Sequence, residues 1–379
     1  MLDQITHLIW QWPASTHLSG TGFRLEASSR TAAQPHASLS PQWRFPMTYH
    51  RPWSRLFRFC AAVGIAALST AACSGTDASS EAKEKRPDTT SEEPARGVVG
   101  PAAANNLLDR YEKVNNKANK SQDAKLLSTV EGGNLFERSN ADYEQFRNMS
   151  SKEKKEYETP FFYEDRQFFI PAGGTWFVVT ARATESKKPS LLVFDKSGGS
   201  WKMTAALHSW EKKIPAIATN SVGLAKAVPT DAKSGSLKPD DIPAAYEDLW
   251  ETGGKEAGKA LSPSAPATQA KASYRDRDDK LGARGARTNF FRTQPKYTQS
   301  YSVQTKDGGV LAIVPLSHKQ EVIVTRPGLQ LNPDPDEALY NSTPRAVITS
   351  DFHGQALAHL PTTGKPKVSS VEYQMVDSH

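Results

Sequence analysis

Asp351 and His353 are the residues whose types and spacing come closest to a reactive pair. On a β-strand, residues two apart point to the same face, so these side chains could share a metal ion or a proton. A protein metal site needs three or more converging ligands, and two residues do not supply them. Ser317 and His318 are adjacent, which on a strand turns them to opposite faces and makes them a poor nucleophile and base. The simpler interpretation is that all four are sheet residues without catalytic or metal-binding roles.

Two charged segments are the other candidates for chemistry. "NPDPDE", residues 332–337, gathers three acidic residues, but it lacks the glycine and the distant glutamate of a calcium loop and is typical of a solvated turn. Residues 275–296 hold seven basic and three acidic side chains, with Phe290 and Phe291 among them. Such a segment can meet an anionic cell-wall polymer or phospholipid headgroups. A loop kept soluble by its charge is the alternative, and we favour it.

Known catalytic and nucleotide-binding motifs are absent from the sequence. It contains no Walker loop, no dinucleotide fingerprint, no G-x-S-x-G elbow, no H-E-x-x-H and no Cys-x-x-Cys. The formal charge of +6 comes mainly from residues 1–72, which contain six arginines and two acidic residues. The remaining chain is nearly balanced in charge, so the basic net charge is no evidence for nucleic-acid binding, which would need a concentrated basic face. We therefore predict no catalytic residue, no cofactor, no metal site and no nucleic-acid partner.

The chain has two cysteines, at positions 60 and 73. Residues 59–72 carry no charge and follow three arginines. This run is shorter than the roughly 20 apolar residues that span a membrane. Its length fits the apolar region of a secretory signal peptide. Cleavage before Cys73 leaves a chain with one cysteine, at its first position, and therefore with no internal disulfide.

The segment "LSTAAC", residues 68–73, resembles the lipobox of bacterial lipoproteins. The resemblance implies signal cleavage between Ala72 and Cys73 and attachment of a diacylglyceryl group, labelled by palmitate, to the cysteine sulfur. Thr70 departs from the motif, because leucine is commonest at its place. The alternative is an ordinary signal peptide cut nearby, with Cys73 incidental. A lipid at Cys73 would anchor the protein to the cell membrane on its extracytoplasmic face.

The regions on either side of Cys73 have no pattern of a folded domain. A leader of normal proportions begins at Met47, so residues 1–46 are interpreted as an over-extended gene prediction; a genuine N-terminal extension is the alternative. Residues 73–100 are rich in Ser, Thr, Glu, Lys and Pro and have little to bury, which predicts a disordered tether. We assign residues 1–72 to the leader and signal peptide.

The segment after the tether has the pattern of helices followed by strands. Residues 101–120 place apolar side chains three and four positions apart, which predicts an amphipathic helix. A second, shorter helix is predicted, with Ser121 as its N-cap and its end at Gly132-Gly133. Aromatic and β-branched runs then predict strands, with a tight hairpin at Lys196-Ser197-Gly198-Gly199. Residues 101–222 are predicted to form a first α+β domain.

The rest of the chain repeats this plan. Residues 223–241 are rich in Pro, Gly, Lys and Ser and are predicted to be a linker. Residues 242–379 begin with a helix that Asp241 caps and Gly253-Gly254 weaken near its centre. Strands follow, with a second glycine hairpin at residues 306–309. The shared plan indicates a structural duplication; a chance resemblance between two α+β domains is the alternative.

A helix packed on a curved antiparallel meander resembles the NTF2-like or cystatin-like fold. The lipobox, the tether, the two halves and phrases such as "LLDRYEKVNNKANK" resemble a family of Streptomyces-type actinobacterial lipoproteins of uncharacterised function. The resemblance implies an α+β chain with two tandem domains of this type. It supplies no catalytic motif to carry over, and the NTF2-like shape hosts enzymes, ligand binders and assembly modules.

The sequence thus predicts a non-enzymatic, lipid-anchored protein that binds or scaffolds another component of the cell envelope, either a protein or an anionic polymer. The alternative is an extracytoplasmic hydrolase or isomerase with a pocket in one domain. That function would need an acid–histidine pair, such as Asp351 and His353, at the floor of the pocket. A solute-binding importer component is disfavoured, because those proteins are usually built from alternating βαβ units.

Overall fold

The computed structural model describes residues 96–379, apart from Glu185 and Lys280, and the backbone of Ser38–Leu39. The helices of this part of the chain are α1 (Pro101–Ser121), α2 (Ala124–Leu127), α3 (Gly133–Gln145), α4 (Ser151–Glu158), α5 (Ile242–Glu251) and α6 (Ala265–Asp276). The strands are β1 (Ser38–Leu39), β2 (Tyr163–Phe169), β3 (Trp176–Ala183), β4 (Ser190–Asp195), β5 (Lys202–His208), β6 (Ala286–Arg292), β7 (Tyr301–Gln304), β8 (Val310–Val324), β9 (Gln330–Leu331), β10 (Val347–Leu360) and β11 (Lys367–Ser378). The predicted signal peptide, Cys73 and residues 73–95 of the tether lie outside the described residues. None of the helices given above is long and apolar enough to cross a membrane.

Two antiparallel sheets dominate the fold. In the first sheet, β2, β3, β4 and β5 lie side by side in chain order. In the second sheet the order is β11-β10-β8-β6, and β7 pairs with the other end of β8 on the same side as β6. The short strands β1 and β9 form a separate parallel pair. Helices followed by antiparallel strands, in both halves, make the fold α+β, as predicted.

Both predicted glycine hairpins are confirmed. The turn between β4 and β5 contains Gly199 at a φ of 90°, and the turn between β7 and β8 contains Gly308 at a φ of 83°. A positive φ is unfavourable for residues with a Cβ atom, which is why glycine marks these turns in the sequence.

Each sheet is covered on both faces, because alternate side chains along a strand point to opposite sides. On β4, Leu192 packs against the helices of the first half, whereas Val193 packs against the second sheet. On β8, Ala312 packs against α5 and α6, whereas Ile313 packs against the first sheet. The resulting order of layers is helices, sheet, sheet, helices. Strand β4 is buried along its whole length, as expected for a strand with two covered faces.

Helix α3 departs from this layering, because it belongs to the first half and also contacts the second sheet. The Asn134 side chain donates a hydrogen bond to the Gly354 carbonyl of β10 at 3.1 Å. The Gln145 side chain donates to the Met375 carbonyl of β11 at 2.9 Å. Both ends of α3 are therefore held on the second sheet by polar side chains.

The predicted linker, residues 223–241, also bonds to both sheets. The Ala225 N–H donates to the carbonyl of Ile170 just after β2, and the Val228 N–H donates to the Ser302 carbonyl of β7, each at 3.0 Å. The predicted domain boundaries on either side of this segment stay predictions.

Local predictions about helix ends are wrong in two places. Helix α1 continues through Ser121, and Asp123 instead caps α2 by accepting a hydrogen bond from the Leu126 N–H at 2.9 Å. Gly253 and Gly254, at φ values of 78° and 79°, follow the last residue of α5 and do not weaken its centre. Glycine in the left-handed region is a common way to end a helix.

The N-terminus of α5 also differs in detail. Asp241 precedes the helix as predicted, but its carboxylate accepts from the Lys238 N–H at 3.0 Å in the preceding turn and makes no capping bond to the helix. Residues 96–100, which the sequence assigns to the tether, are described by the structure and contact the first half. The Val98 N–H donates to the Pro171 carbonyl at 3.1 Å, and Val98 packs on the core of the first half.

The arginine-rich segment 275–296, interpreted above as a loop, is instead partly regular. It contains the end of α6 and the edge strand β6. Ser264 caps α6 by accepting a bond from the Ala267 N–H at 3.3 Å, and Pro266 lies in the first turn, where its missing N–H costs nothing. The proline and small residues concealed this helix at the level of sequence.

Candidate binding cleft

A cleft of about 490 Å³ opens beside β8, where the edge of the second sheet is interrupted. Strand β6 pairs with residues 318–324 of β8, and β7 pairs with residues 310–313 of the same strand. Residues 314–317 of β8 therefore have no strand neighbour on this side. Residues 293–300, which we call the cleft loop, connect β6 to β7 across the gap. The cleft is lined by Asp240, Pro243, Ala244, Glu247, Arg292, Thr293, Gln294, Pro295, Thr298, Ser300, Pro315 and Ser317.

Pro315 explains why the edge is interrupted at this point. The Ser317 carbonyl accepts a bond from the Thr293 N–H at 3.0 Å, so Ser317 directs its backbone groups towards the gap. Residues two apart in a strand direct these groups to the same side, which places the backbone of Pro315 towards the gap as well. Proline has no N–H to donate to a neighbouring strand, and in sheets it is confined to edges and irregular positions. The chain therefore leaves the sheet here and returns as β7.

Helix α5 and the turn before it form the opposite wall. Asp240, Pro243, Ala244 and Glu247 recur at three- and four-residue intervals, the spacing of one helix face. Asp240 and Arg292 are both exposed, so the cleft carries charges of both signs. Hydroxyl and amide side chains occupy much of the remaining lining. This chemistry suits a polar ligand that both donates and accepts hydrogen bonds.

Glu247 lies at the inner end of the cleft, and two side chains on the far side from the cleft form hydrogen bonds with its carboxylate. Only 1% of its surface is exposed. One carboxylate oxygen lies 2.9 Å from His318 Nδ1, and the other accepts a hydrogen bond from the Tyr373 hydroxyl at 2.6 Å. Burial, followed by the charge of Glu247, raises the pKa of Tyr373 well above its usual value. Tyr373 therefore stays protonated and remains a donor at neutral pH.

Aromatic rings surround His318. The ring of Phe352 lies 5.3 Å away and nearly parallel, and those of Trp250 and Tyr373 lie at 5.2 and 4.7 Å. These rings keep water from the Glu247–His318 hydrogen bond, which strengthens it electrostatically. They also fix the imidazole plane, so the position of the Glu247 carboxylate is set before any ligand binds.

The cleft loop is attached to helix α3. Lys296 Nζ donates to Glu137 Oε1 at 2.6 Å, and His353 Nδ1 lies 2.6 Å from the other oxygen, Oε2. Burial alone would raise the pKa of Glu137, but the hydrogen bonds and charges of His353 and Lys296 hold it below its usual value. Glu137 thus links the loop, α3 and β10.

Between α3 and the sheets lies a group of ionisable residues that we call the carboxyl cluster: the buried Glu131, Arg138 and Asp142, and the half-buried Glu372 of β11. Burial is the main cause that raises the pKa of each of the three carboxyl groups to about 7. The charge of Arg138 opposes this rise at all three. Glu131 also accepts a hydrogen bond from the Tyr111 hydroxyl at 2.9 Å.

Comparison with known proteins places the chain in a family. The profile of a domain of unknown function, DUF8094, matches residues 95–379, which include almost all of the described fold. This chain belongs to the DUF8094 family.

Relatives of this DUF8094 protein come from Streptomyces. One uncharacterized lipoprotein of Streptomyces coelicolor is 29% identical over 310 residues, covering 79% of this chain and 87% of that protein. A second from the same organism is 26% identical over 277 residues, covering 70% and 82%. An uncharacterized lipoprotein of Streptomyces avermitilis is 23% identical over 317 residues, covering 81% and 90%. No solved structure matches. The predicted relation to Streptomyces lipoproteins is confirmed.

The DUF8094 structure does not bring the predicted acid–histidine pair together as a site. Asp351 contacts Lys319 at 3.5 Å, and His353 contacts Glu137. Neither residue lines the cleft. Asp351 does lie near Asp377 and His379, with one ligand atom of each within 4.8 Å of the others, but Lys319 already pairs with this carboxylate.

Ser317 and His318 face opposite ways, as predicted. Ser317 lines the cleft and lies 2.6 Å from the Thr293 hydroxyl, whereas His318 is buried against α5. The "NPDPDE" segment is a turn, with Asp334 accepting bonds from two following N–H groups. Glu337 at its end is not solvated as predicted; it is buried and lies 3.2 Å from the Ser350 hydroxyl.

Sequence reasoning missed Glu247 and the carboxyl cluster in this DUF8094 chain. Glu247 stands on the same helix face as Asp240, which has the appearance of a solvent-facing stripe. The one available signal for the cleft was Pro315, which interrupts an apolar run and so predicts an edge or irregular strand position.

The carboxyl cluster is expected to make the DUF8094 fold more stable in mild acid than in mild base. A carboxyl group whose pKa is raised by folding keeps a proton that the unfolded chain releases, so stability falls as pH rises from the unfolded to the folded pKa. For Glu131, raised from 4.5 to about 7, the loss is about 3 kcal/mol between pH 4 and 8. Urea unfolding at several pH values measures it. Glu131→Gln should flatten the profile, and an unchanged slope would contradict this assignment.

Proposed function

We propose that this DUF8094 protein is a lipid-anchored, non-enzymatic binding protein of the cell envelope, and that the cleft beside β8 holds its partner. The main support for this proposal is the preformed cleft, which has the buried Glu247 carboxylate fixed at its inner end and hydrogen-bonding groups along its walls. The names of the Streptomyces relatives support a lipid anchor, and we propose from the lipobox-like segment that it is attached to Cys73 after cleavage between Ala72 and Cys73. Such an anchor would place the fold at the extracytoplasmic face of the membrane.

The Glu247–His318 pair is the observation that favours the alternative function, a hydrolase or isomerase. We favour binding because of how this pair is arranged. Each oxygen of Glu247 already has a hydrogen-bond partner next to it, His318 Nδ1 on one side and the Tyr373 hydroxyl on the other, so the position of the carboxylate is fixed. A carboxylate held in this way is better suited to orienting a donor group of a ligand than to removing a proton.

The partner is proposed to be an envelope protein or an anionic polymer. Arg292 lines the cleft, and Arg287 lies further along the same edge strand; both side chains are exposed. Neither forms an ion pair with another residue that the structure describes. Exposed guanidinium groups on one strand suit carboxylate or phosphate groups that extend beyond the cleft.

We further propose that residues 101–222 and 242–379 are tandem copies of one NTF2-like or cystatin-like plan joined by residues 223–241. Two features support this. Each half begins with helices and ends with an antiparallel sheet, and each sheet packs one face on the helices of its own half. In this arrangement the other face of each sheet is covered by its counterpart.

Crosslinking in intact cells tests the cleft as the binding site. A photoreactive amino acid replaces Thr298, an exposed residue of the cleft wall, or Lys187, an exposed residue of the turn between β3 and β4. We expect adducts from position 298 and at least about tenfold fewer from position 187, the ratio given by 1.4 kcal/mol of binding preference.

A variant that fills the cleft supplies the matched control. Ala244→Trp places an indole between α5 and the cleft loop and should remove the adducts from position 298. Sensitivity of the adduct to protease distinguishes a protein partner from a polymer. Equal adduct yields at the two positions, or adducts that persist in Ala244→Trp, would contradict the proposed site.

A further inference from the structure

We propose that helix α3 controls the cleft: its docking on β11 sets the position of the cleft loop, and protonation of the carboxyl cluster controls that docking. The inference rests on the proposed function only in naming the cleft as the place where the partner binds. The coupling itself is a property of the chain without ligand.

The first step is the attachment of the cleft loop to α3. The Lys296–Glu137 hydrogen bond of 2.6 Å joins the middle of the loop to the helix. At the start of the helix, Gly133 lies so close to Tyr297 that an added Cβ would be 3.9 Å from the tyrosine ring. Two successive loop residues, Lys296 and Tyr297, thus lie beside the same helix. Movement of α3 therefore moves or releases the loop.

The second step is the nature of the contact between α3 and the second sheet. The buried face of α3 carries polar residues at intervals of three and four: Asn134, Arg138, Asp142 and Gln145. Gln145 bonds to the Met375 carbonyl at 2.9 Å and to the Gln374 side chain at 2.6 Å. A contact made largely of hydrogen bonds and charges depends on protonation far more than an apolar contact of the same area.

The third step is the balance of charge in the carboxyl cluster. With all three carboxyl groups ionised, Arg138 leaves two negative charges uncompensated. Two polar atoms there, Arg138 Nε and one oxygen of Glu131, are buried and make no hydrogen bond to any residue that the structure describes. Like charges at close range in a poorly solvated site repel strongly. A proton on two of the carboxyl groups removes the imbalance.

The surrounding elements supply the other ionisable groups that face the cluster and α3. From β5, the His208 N–H donates to Glu372 at 3.4 Å, while the His208 ring lies 2.8 Å from the Ser190 hydroxyl. From α1, the Tyr111 hydroxyl donates to Glu131. From β10, His353 contacts Glu137 on α3 itself.

The three carboxyl groups of the cluster have pKa values of about 7, which sets how the docking of α3 responds to pH. Below pH 7 the cluster holds protons, α3 stays docked and the cleft loop is held by Glu137. Above pH 7 the cluster loses these protons, the repulsion loosens α3 from β11, and the loop loses its attachment. The cleft is thus formed in mild acid and opened in mild base.

Hydrogen exchange of the full chain, measured by mass spectrometry at pH 6 and pH 8, tests this inference. After correction for the pH dependence of chemical exchange, α3 and residues 293–300 should both exchange at least about tenfold faster at pH 8, the ratio that one pKa unit of differential protonation produces. Glu372→Gln should keep both segments protected at pH 8. Glu158→Gln, which removes an exposed carboxylate on α4, is the matched control and should change nothing.

Two further variants keep the test decisive. Asp142→Asn removes another cluster charge and should act like Glu372→Gln, including where the latter folds poorly. Glu137→Gln should free the loop at both pH values while α3 keeps its response. Equal corrected rates at pH 6 and 8, or a Glu372→Gln protein that responds like wild type, would overturn the inference. No ligand enters this experiment, so its failure leaves the crosslinking result in the cleft unaffected, and the reverse also holds.

Discussion

Glu247→Ala is expected to lower the free energy of unfolding by about 3–5 kcal/mol, the cost of breaking a buried, hydrogen-bonded pair by removing one partner. The substitution leaves His318 Nδ1 and the Tyr373 hydroxyl buried without the carboxylate that each contacts. An unsatisfied buried polar group costs about 1–3 kcal/mol. Urea unfolding at pH 7, followed by tryptophan fluorescence, measures the change, because the Trp250 ring lies 5.2 Å from His318.

Glu251→Ala is the matched control for this prediction. Glu251 lies one turn further along α5 and is exposed. Surface substitutions away from such contacts usually change stability by less than about 0.5 kcal/mol. Glu247→Gln keeps the shape and one acceptor and should give an intermediate loss. If Glu247→Ala were no more destabilising than Glu251→Ala, the carboxylate would not be the group that fixes the inner end of the cleft.

Much of the fold could be predicted from the sequence because its signals are local. The glycines at positions 199 and 308 are needed for the backbone of their turns, whatever the rest of the chain does. The apolar stripe of α1 and the continuous apolar run of β4 likewise record which of their faces are buried. These features predicted the α+β class and the antiparallel order of the strands.

The candidate site could not be predicted in the same way, because its contacts join distant parts of the chain. Glu247 is separated from His318 by 71 residues and from Tyr373 by 126. The polar stripe of α3 gave a misleading signal. Polar residues recurring every three or four positions normally mark the solvent-facing side of a helix, whereas here Arg138 and Asp142 are buried against the second sheet.

The buried polar residues of α3 take part both in packing the fold and in holding the cleft loop. An apolar α3 would seal the junction of the two sheets more firmly, since replacing buried charges by apolar groups is often neutral or stabilising. The chain instead places Arg138 and three carboxyl groups there and attaches the cleft loop to the same helix through Glu137. The contact between α3 and the second sheet is therefore less stable than an apolar contact would be. In return, it responds to protonation next to the proposed binding site.

Cys73→Ser is expected to move the protein from the membrane fraction to the soluble fraction and to abolish its labelling by palmitate. Each buried methylene of an acyl chain contributes about 0.8 kcal/mol to membrane binding, and one chain alone binds only marginally. A diacylglyceryl group would therefore hold the protein stably, and its loss would remove this contribution to membrane binding. Fractionation and radiolabelled palmitate in growing cells measure the two effects.

The second cysteine provides a matched control, because the two thiols differ in their predicted fate. Cys60 lies inside the segment that cleavage before Cys73 would remove, so Cys60→Ser should leave both palmitate labelling and membrane association unchanged. Both cysteines lie outside the fold that the structure describes, residues 96–379, so we expect neither substitution to alter the circular dichroism that this fold contributes. Label that persists in Cys73→Ser, or disappears in Cys60→Ser, would show that the lipid is attached elsewhere. Loss of label and of membrane association in Cys73→Ser alone would assign the anchor to the one sulfur that remains at the N-terminus of the cleaved chain.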